Sequence, residues 1–243
     1  MTAERHIQAP TPNFDARVAP PDMIVLHYTG MASGEAALER LRDPASKVSA
    51  HYLIEEDGRV FVLVPEARRA WHAGVSSWAG ATDINGFSIG VELVNPGHEF
   101  GYRPFPERQI AALVTLLAEI RSRWTVPDER ILAHSDVAPA RKQDPGELFP
   151  WHGLAQAGHG LWAEAGDGRG PALDLGDEGL GVAVLQAGLT RLGYDCPPTG
   201  HYGAETATIV RAFQRHWSPA SIDGTADGDT RVRLMALLRR VRA

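Results

Sequence analysis

Short apolar runs of strand length dominate the first half of the chain, and helix-spaced apolar stripes dominate the second. Met23–Tyr28 reads MIVLHY, a strand-length run that ends on a histidine and a tyrosine. After a Gly/Ser turn, Gly34–Leu41 has helical spacing. His51–Ile54 and Val60–Val64 flank Asp57-Gly58, and a D-G pair between apolar runs is a strong hairpin signal. Phe87–Val94, FSIGVELV, is a further strand, whose glycine lets another backbone or a ligand come close. From Pro106 to Trp124, residues Ile110, Leu113, Leu117, Ile120 and Trp124 share one helical stripe. Ile131–Ala133 is a short strand that delivers His134 at its exit. Strands alternating with helices predict an α/β domain with a mixed central sheet flanked by helices.

The flanks differ. Residues 1–21 contain four prolines and little periodicity, which predicts an extended N-terminal arm draped over the body. The α/β domain is expected over 22–154, followed by a Gly- and Ala-rich linker over 155–172 into which Leu161 and Trp162 fall. Three amphipathic segments follow, on stripes Val182–Leu185–Leu189–Leu192, Ile209–Val210–Phe213 and Leu234–Leu237–Leu238. They predict a small all-α, three-helix domain over 173–243.

Composition narrows the function. A chain of 243 residues with 44% apolar content can build a sizeable core. A formal net charge of −6 argues against general nucleic-acid binding, which favours a basic face. No apolar run is long enough to span a membrane. The N-terminal residues lack the apolar core of a secretory signal. The expected location is cytoplasmic, or the periplasm or cell envelope if a leader was removed. The single cysteine, Cys196, permits no internal disulfide.

The chemistry gathers in ILAHSDVAPARKQDPGELFP, residues 131–150, where Pro139 and Pro145 limit the wandering of a polar loop. A hydrolytic zinc site needs about three protein ligands and one open position for water. His134 and Asp144 suit two of them, and His27, also at the exit of a strand, suits the third. Such a set leaves bound zinc with net positive charge, able to acidify water. Hydrolysis also needs a base, and Glu92 stands alone in an apolar strand where a carboxylate is costly unless it faces a partner or a cleft. Lys142 is suited to neutralise an oxyanion. Singly, each residue has a plainer reading: a core histidine, a turn initiator before proline, half of an ion pair, a solvated lysine.

Together the segments LHYT, SAHYLI, AWHAGVSSW, NGFSIGVELVN and AHSDVAPARKQDPG resemble, in order, the zinc-dependent N-acetylmuramoyl-L-alanine amidases of the amidase type 2 family, on its AmpD/AmiD-like branch. These proteins are related to peptidoglycan recognition proteins. The resemblance covers roughly residues 20–152. It implies cleavage of the amide between the lactyl group of N-acetylmuramic acid and L-alanine of the stem peptide, with one zinc per chain. Position by position, His27, His134 and Asp144 match the zinc ligands, Glu92 the base and Lys142 the oxyanion cation. Ala50 stands where recognition proteins and phage amidases often have tyrosine, a departure that fits the AmpD/AmiD branch. The family segment places Trp71 and His72 near the cleft as a wall for sugar or peptide. His51 is a further substrate candidate. Asn85 either shapes the loop before the Glu92 strand or touches the peptide, and Arg141 is a candidate for a stem carboxylate.

Beyond the linker, VAVLQAGLTRLGY, GHYGAETATIVRAFQ and DGTADGDTRVRLMALL resemble a three-helix peptidoglycan-binding domain. The expected partners are peptidoglycan or muropeptides, and the expected state is a monomer. Two other readings differ in consequence: a recognition protein that binds peptidoglycan without cutting it, and a cytoplasmic recycling amidase restricted to 1,6-anhydro-muropeptides.

Overall fold

The computed structural model describes residues 6–241. Its first strands are β1 (His6–Gln8), β2 (Phe14–Ala16), β3 (Met23–Tyr28) and β4 (Tyr52–Ile54). The rest are β5 (Val60–Val62), β6 (Arg68–Ala70), β7 (Ser88–Leu93) and β8 (Ile131–Ala133). Six form one sheet in the order β1-β5-β4-β7-β3-β8, and β2 pairs with β6 in a second, two-stranded sheet. Strands β4, β7, β3 and β8 run parallel, while β5 returns antiparallel to β4 and β1 runs parallel to β5. The sheet is mixed, and the expected hairpin is present, with Tyr52 opposite Val62 and Ile54 opposite Val60.

The two faces of the sheet are already written in the period-2 alternation of its central strands. On β7, Ile89, Val91 and Leu93 are buried against one core, which they share with Ile24 and Leu26 of β3. The helices between β3 and β8 in the chain are α1 (Gly34–Arg42), α2 (Ile84–Phe87), α3 (Gly97–Phe100) and α4 (Glu107–Arg123). Leu113, Leu117 and Ile120 of α4 close this core, as their stripe predicted, with Ile110 and Trp124 partly buried at its margin. On the opposite face, β7 presents Ser88, Gly90 and Glu92, and β3 presents Met23, Val25 and His27. That face carries the chemistry.

The arm is more than extended. Its described part contributes β1 at the sheet edge and β2 to the second sheet. Arg17 fixes it, donating from Nε to the carbonyls of Glu66 (3.0 Å) and Arg68 (3.1 Å), and from Nη1 and Nη2 to those of Gly86 (2.7 Å) and Ser88 (2.8 Å).

After β8 come α5 (His134–Val137) and α6 (Trp151–Gln156), then α7 (Leu180–Leu192), α8 (Ala204–Trp217) and α9 (Gly228–Leu238). The last three match the three stripes. Their core does not stand apart: one buried cluster joins Leu185, Leu189, Phe213 and Leu237 to Met23, Val25, Trp78 and Val137. The stretch 155–172 is seated on the body rather than hanging free around Leu161 and Ala163, which are both buried. Trp217 Nε1 donates to the Leu161 carbonyl (3.1 Å), and Arg233 donates to that of Ala163.

Candidate metal centre

The parallel register sets His27 beside Glu92 on neighbouring strands, and β8 ends where α5 begins with His134. Asp144 comes back to the same point from the polar loop. His27 Nδ1 lies 2.9 Å from His134 Nδ1 and 3.1 Å from Asp144 Oδ2, and His134 Nδ1 lies 2.9 Å from Asp144 Oδ2. All three residues are buried.

The far side of each imidazole fixes its tautomer. His134 Nε2 lies 3.1 Å from the Ala73 carbonyl, an acceptor only, so Nε2 carries the proton and Nδ1 the lone pair. For His27 the reasoning runs through two residues. Ser88 Oγ is 2.6 Å from the Ile84 carbonyl, so its hydroxyl proton lies on that line and Oγ accepts from His72 Nε2–H at 3.1 Å. His72 Nδ1 is then an acceptor and takes the proton of His27 Nε2 at 3.0 Å, leaving the His27 Nδ1 lone pair turned inward. Burial, with the His134 ring beside it, holds the His27 pKa down to about 4, so the ring is neutral at pH 7. Three acceptors facing one another cannot be joined by hydrogen bonds. A cation would join them, and outer partners of this kind are what orient imidazole ligands.

These groups open onto a cleft of about 370 Å³ whose lining includes Glu92, Lys142, Trp71 and Arg141. Glu92 Oε2 is shielded and has no hydrogen-bond partner. Burial, and next the negative Asp144, push the Glu92 carboxyl well above its usual range, while Lys142 opposes them. An unpaired carboxyl facing a cleft in this way has the character of a general acid–base group.

The other expected residues occupy distinct positions. Trp71 is in the cleft wall, its indole donating to Asp15 Oδ2 of β2 (2.7 Å). His72 is at the cleft floor in the relay just described, its ring passing so close to Gly90 that a Cβ there would lie 2.4 Å from it. The close approach expected at that glycine is to a side chain. His51 does not reach the cleft: it is fully buried, accepting from the Gly90 N–H (2.9 Å) and set 3.0 Å from the Arg68 carbonyl. Asn85 is also beneath the surface, where its Oδ1 accepts from the backbone N–H groups of His72 (3.0 Å) and Ala73 (2.8 Å). Arg141 lines the cleft but spends its guanidinium on the carbonyls of Ala73 and Val75. Ser88 was not singled out from the sequence, although the alternation of FSIGVELV puts it on the same face as Glu92.

A mixed sheet with a two-histidine, one-aspartate cluster that could hold a metal, beside a buried carboxyl and a lysine, has the features of a metal-dependent hydrolase. Comparison with known proteins narrows the class. Residues 17–147 match the family described as N-acetylmuramoyl-L-alanine amidase, and residues 178–234 match a peptidoglycan binding domain. The chain is 38% identical to the N-acetylmuramoyl-L-alanine amidase AmiD of Escherichia coli, over 90% of this chain and 82% of that protein. It is 34% identical to the 1,6-anhydro-N-acetylmuramyl-L-alanine amidase AmpD of Haemophilus influenzae, over 62% of this chain and 90% of that one. Among solved structures, the E. coli AmiD complex with anhydro-N-acetylmuramic acid-L-Ala-D-γ-Glu-L-Lys superposes with a TM-score of 0.78, covering 93% of this chain and 92% of that one. AmpDh3 of Pseudomonas aeruginosa gives 0.80 at 33% identity, covering 93% and 94%. The chain belongs to the N-acetylmuramoyl-L-alanine amidase family and is an enzyme of that family, which is zinc-dependent in general.

Proposed function

We propose that the cleft hydrolyses the amide between the lactyl group of N-acetylmuramic acid and L-alanine of the stem peptide, with one zinc held by His27, His134 and Asp144. The observation that supports this best is the convergence of those three acceptors beside an unpartnered Glu92. Bound zinc supplies Lewis acidity, polarising a carbonyl and making water acidic. Glu92 takes the proton from the attacking water and returns it to the alanine nitrogen as the C–N bond breaks. The Lys142 ammonium stabilises the oxyanion formed at the lactyl carbon. Trp71 is read as a wall for sugar or peptide. His72, His51, Asn85 and Arg141 are read as the frame behind the ligands, each already engaged by protein groups.

The division into a catalytic unit (22–154), a connection (155–172) and a peptidoglycan-binding unit (173–243) is supported by the family matches over 17–147 and 178–234. A binding unit on the same chain raises the effective concentration of the cleft at the wall. Working as a monomer is sufficient, since all proposed groups come from one chain. The anhydro-muropeptide in the AmiD complex favours such a compound as one substrate. The test is mass spectrometry of products from zinc-loaded protein incubated with intact sacculi and, in parallel, with an anhydro-muropeptide. Stem peptides beginning at L-alanine are expected, and the substrate that releases them separates wall remodelling from recycling. Sacculi bound but uncut, with no release from either substrate, would overturn the assignment in favour of a recognition protein.

A further inference from the structure

The C-terminal helices reach into the turn that carries His134. Asp136, in α5, is buried with 1% exposure and accepts three hydrogen bonds. One comes from within the turn, since the Ala133 N–H donates to Oδ2 at 2.8 Å and so ties down the residue just before His134. The other two come from the C-terminal segment: Tyr194 O–H donates to Oδ1 at 2.7 Å, and His216 Nδ1–H to Oδ2 at 2.6 Å.

Both donors are held rigidly. The Tyr194 ring meets Trp78 edge-on at 4.9 Å, and a Cβ at the preceding Gly193, whose φ is +139°, would come within 2.2 Å of the Trp78 ring. The Ala79 N–H donates to the Gly193 carbonyl at 2.7 Å. His216 is sandwiched between Trp151 at 3.6 Å and Trp217 at 3.7 Å.

Adhesion alone does not account for this arrangement. A buried carboxylate is costly, and His216 Nε2 is left buried without a partner. Apolar side chains of similar volume would hold two surfaces together at lower cost. What the polar groups add is direction. A carboxylate with its acceptor sites engaged has one orientation, and through the Ala133 N–H it sets where α5 begins and hence where His134 Nδ1 points.

We infer that the C-terminal helices form part of the scaffold of the metal centre, with Tyr194 and His216 as positioning residues that act on His134 through Asp136. The inference rests on the amidase reading above. On this view the segment does two jobs, and its contribution to catalysis persists on a substrate too small to need tethering.

The test uses the full chain and two readouts: the zinc dissociation constant by chelator competition, and kcat and KM on a soluble anhydro-muropeptide. Tyr194→Phe removes one O–H and keeps the ring on Trp78. His216→Phe keeps the stack and removes the donor. His216→Asn returns an N–H near the place of Nδ1. The two phenylalanine variants are expected to weaken zinc binding roughly ten-fold, the lower end for loss of an outer partner, and to lower kcat with KM little changed. His216→Asn should recover most of both. Unchanged zinc affinity and kcat in both phenylalanine variants would overturn the inference, whatever happened to thermal stability. A wild-type chain that neither retained zinc nor cut the muropeptide would instead remove the amidase reading and the inference together.

Discussion

The two histidines of the cluster are backed by walls of different construction. Behind His27 stands a relay of side chains, His72 then Ser88, laid across Gly90 and supplied entirely by elements of the sheet domain. Behind His134 stands main chain: the Ala73 carbonyl on its outer nitrogen, and beneath it a four-residue helix held by Asp136. A side-chain relay sets a tautomer and can be broken by one substitution. A main-chain wall has no side chain to lose, so its geometry depends on what braces the backbone, here Asn85, Arg141 and the C-terminal helices. The same task, one lone pair aimed at one point, is met once by local chemistry and once by tertiary packing.

The largest effect should come from the group the two walls share. Asp144→Ala removes the ligand that both histidines face, and metal analysis after dialysis should find no retained zinc and no turnover; stoichiometric zinc in this variant would contradict the ligand assignment. Glu92→Gln touches neither wall. It should keep zinc yet lose about two to four orders of magnitude in kcat, the usual loss for a general acid–base group, and full activity in single-turnover assays would end that role.

Breaking only the His27 wall should give an intermediate effect. Gly90→Ala drives a methyl into the His72 ring, and His72→Phe removes both hydrogen bonds of the relay. Each should weaken zinc binding by roughly 10- to 100-fold, and chelator competition showing wild-type affinity would mean that the relay does not orient His27.

A fifth substitution checks that such losses are not general destabilisation. Glu66 lies outside both walls and accepts from Tyr52 O–H (2.6 Å), Trp124 Nε1 (2.6 Å) and Arg123. Burial alone would raise its pKa, but these hydrogen bonds together hold it below the ordinary value. Its stabilisation is therefore full above the unfolded glutamate pKa of about 4.3 and fades as pH falls through the lower folded value. Glu66→Ala should cost about 1–3 kcal/mol in urea unfolding at pH 7, a difference that narrows in acid, with zinc affinity unchanged. Loss of zinc binding here would show that affinity follows stability alone.

What the sequence reveals follows from how local each determinant is. Strands β3, β7 and β8 and the longer helices carry their own apolar period, so MIVLHY, FSIGVELV and the α4 stripe identify them. His27, His134 and Glu92 stand out because each interrupts or ends such a run, and Asp144 by its place before Pro145 in the polar loop. Strands β1, β2 and β6 span three residues each and exist through their pairing, which no local pattern contains. Helix α5 is one turn long and is held by contacts from residues 58 and 80 positions away. The position of His72 depends on a partner 45 residues distant. Its motif draws attention to it, but only the fold reveals that it faces His27. The linker is another such case: Gly and Ala content implies freedom, while the burial of Leu161 and Ala163 supplies restraint.

The stack of Trp151, His216 and Trp217 gives the molecule an optical gauge. Two indoles sit on opposite faces of one imidazole, one carried by the sheet domain and one by the helices, so their emission depends on the two staying together. A treatment that parts the helices from the sheet, such as denaturant or truncation, moves one indole out of the stack and is expected to change the fluorescence. The parting of helices from sheet can therefore be followed in the unlabelled protein.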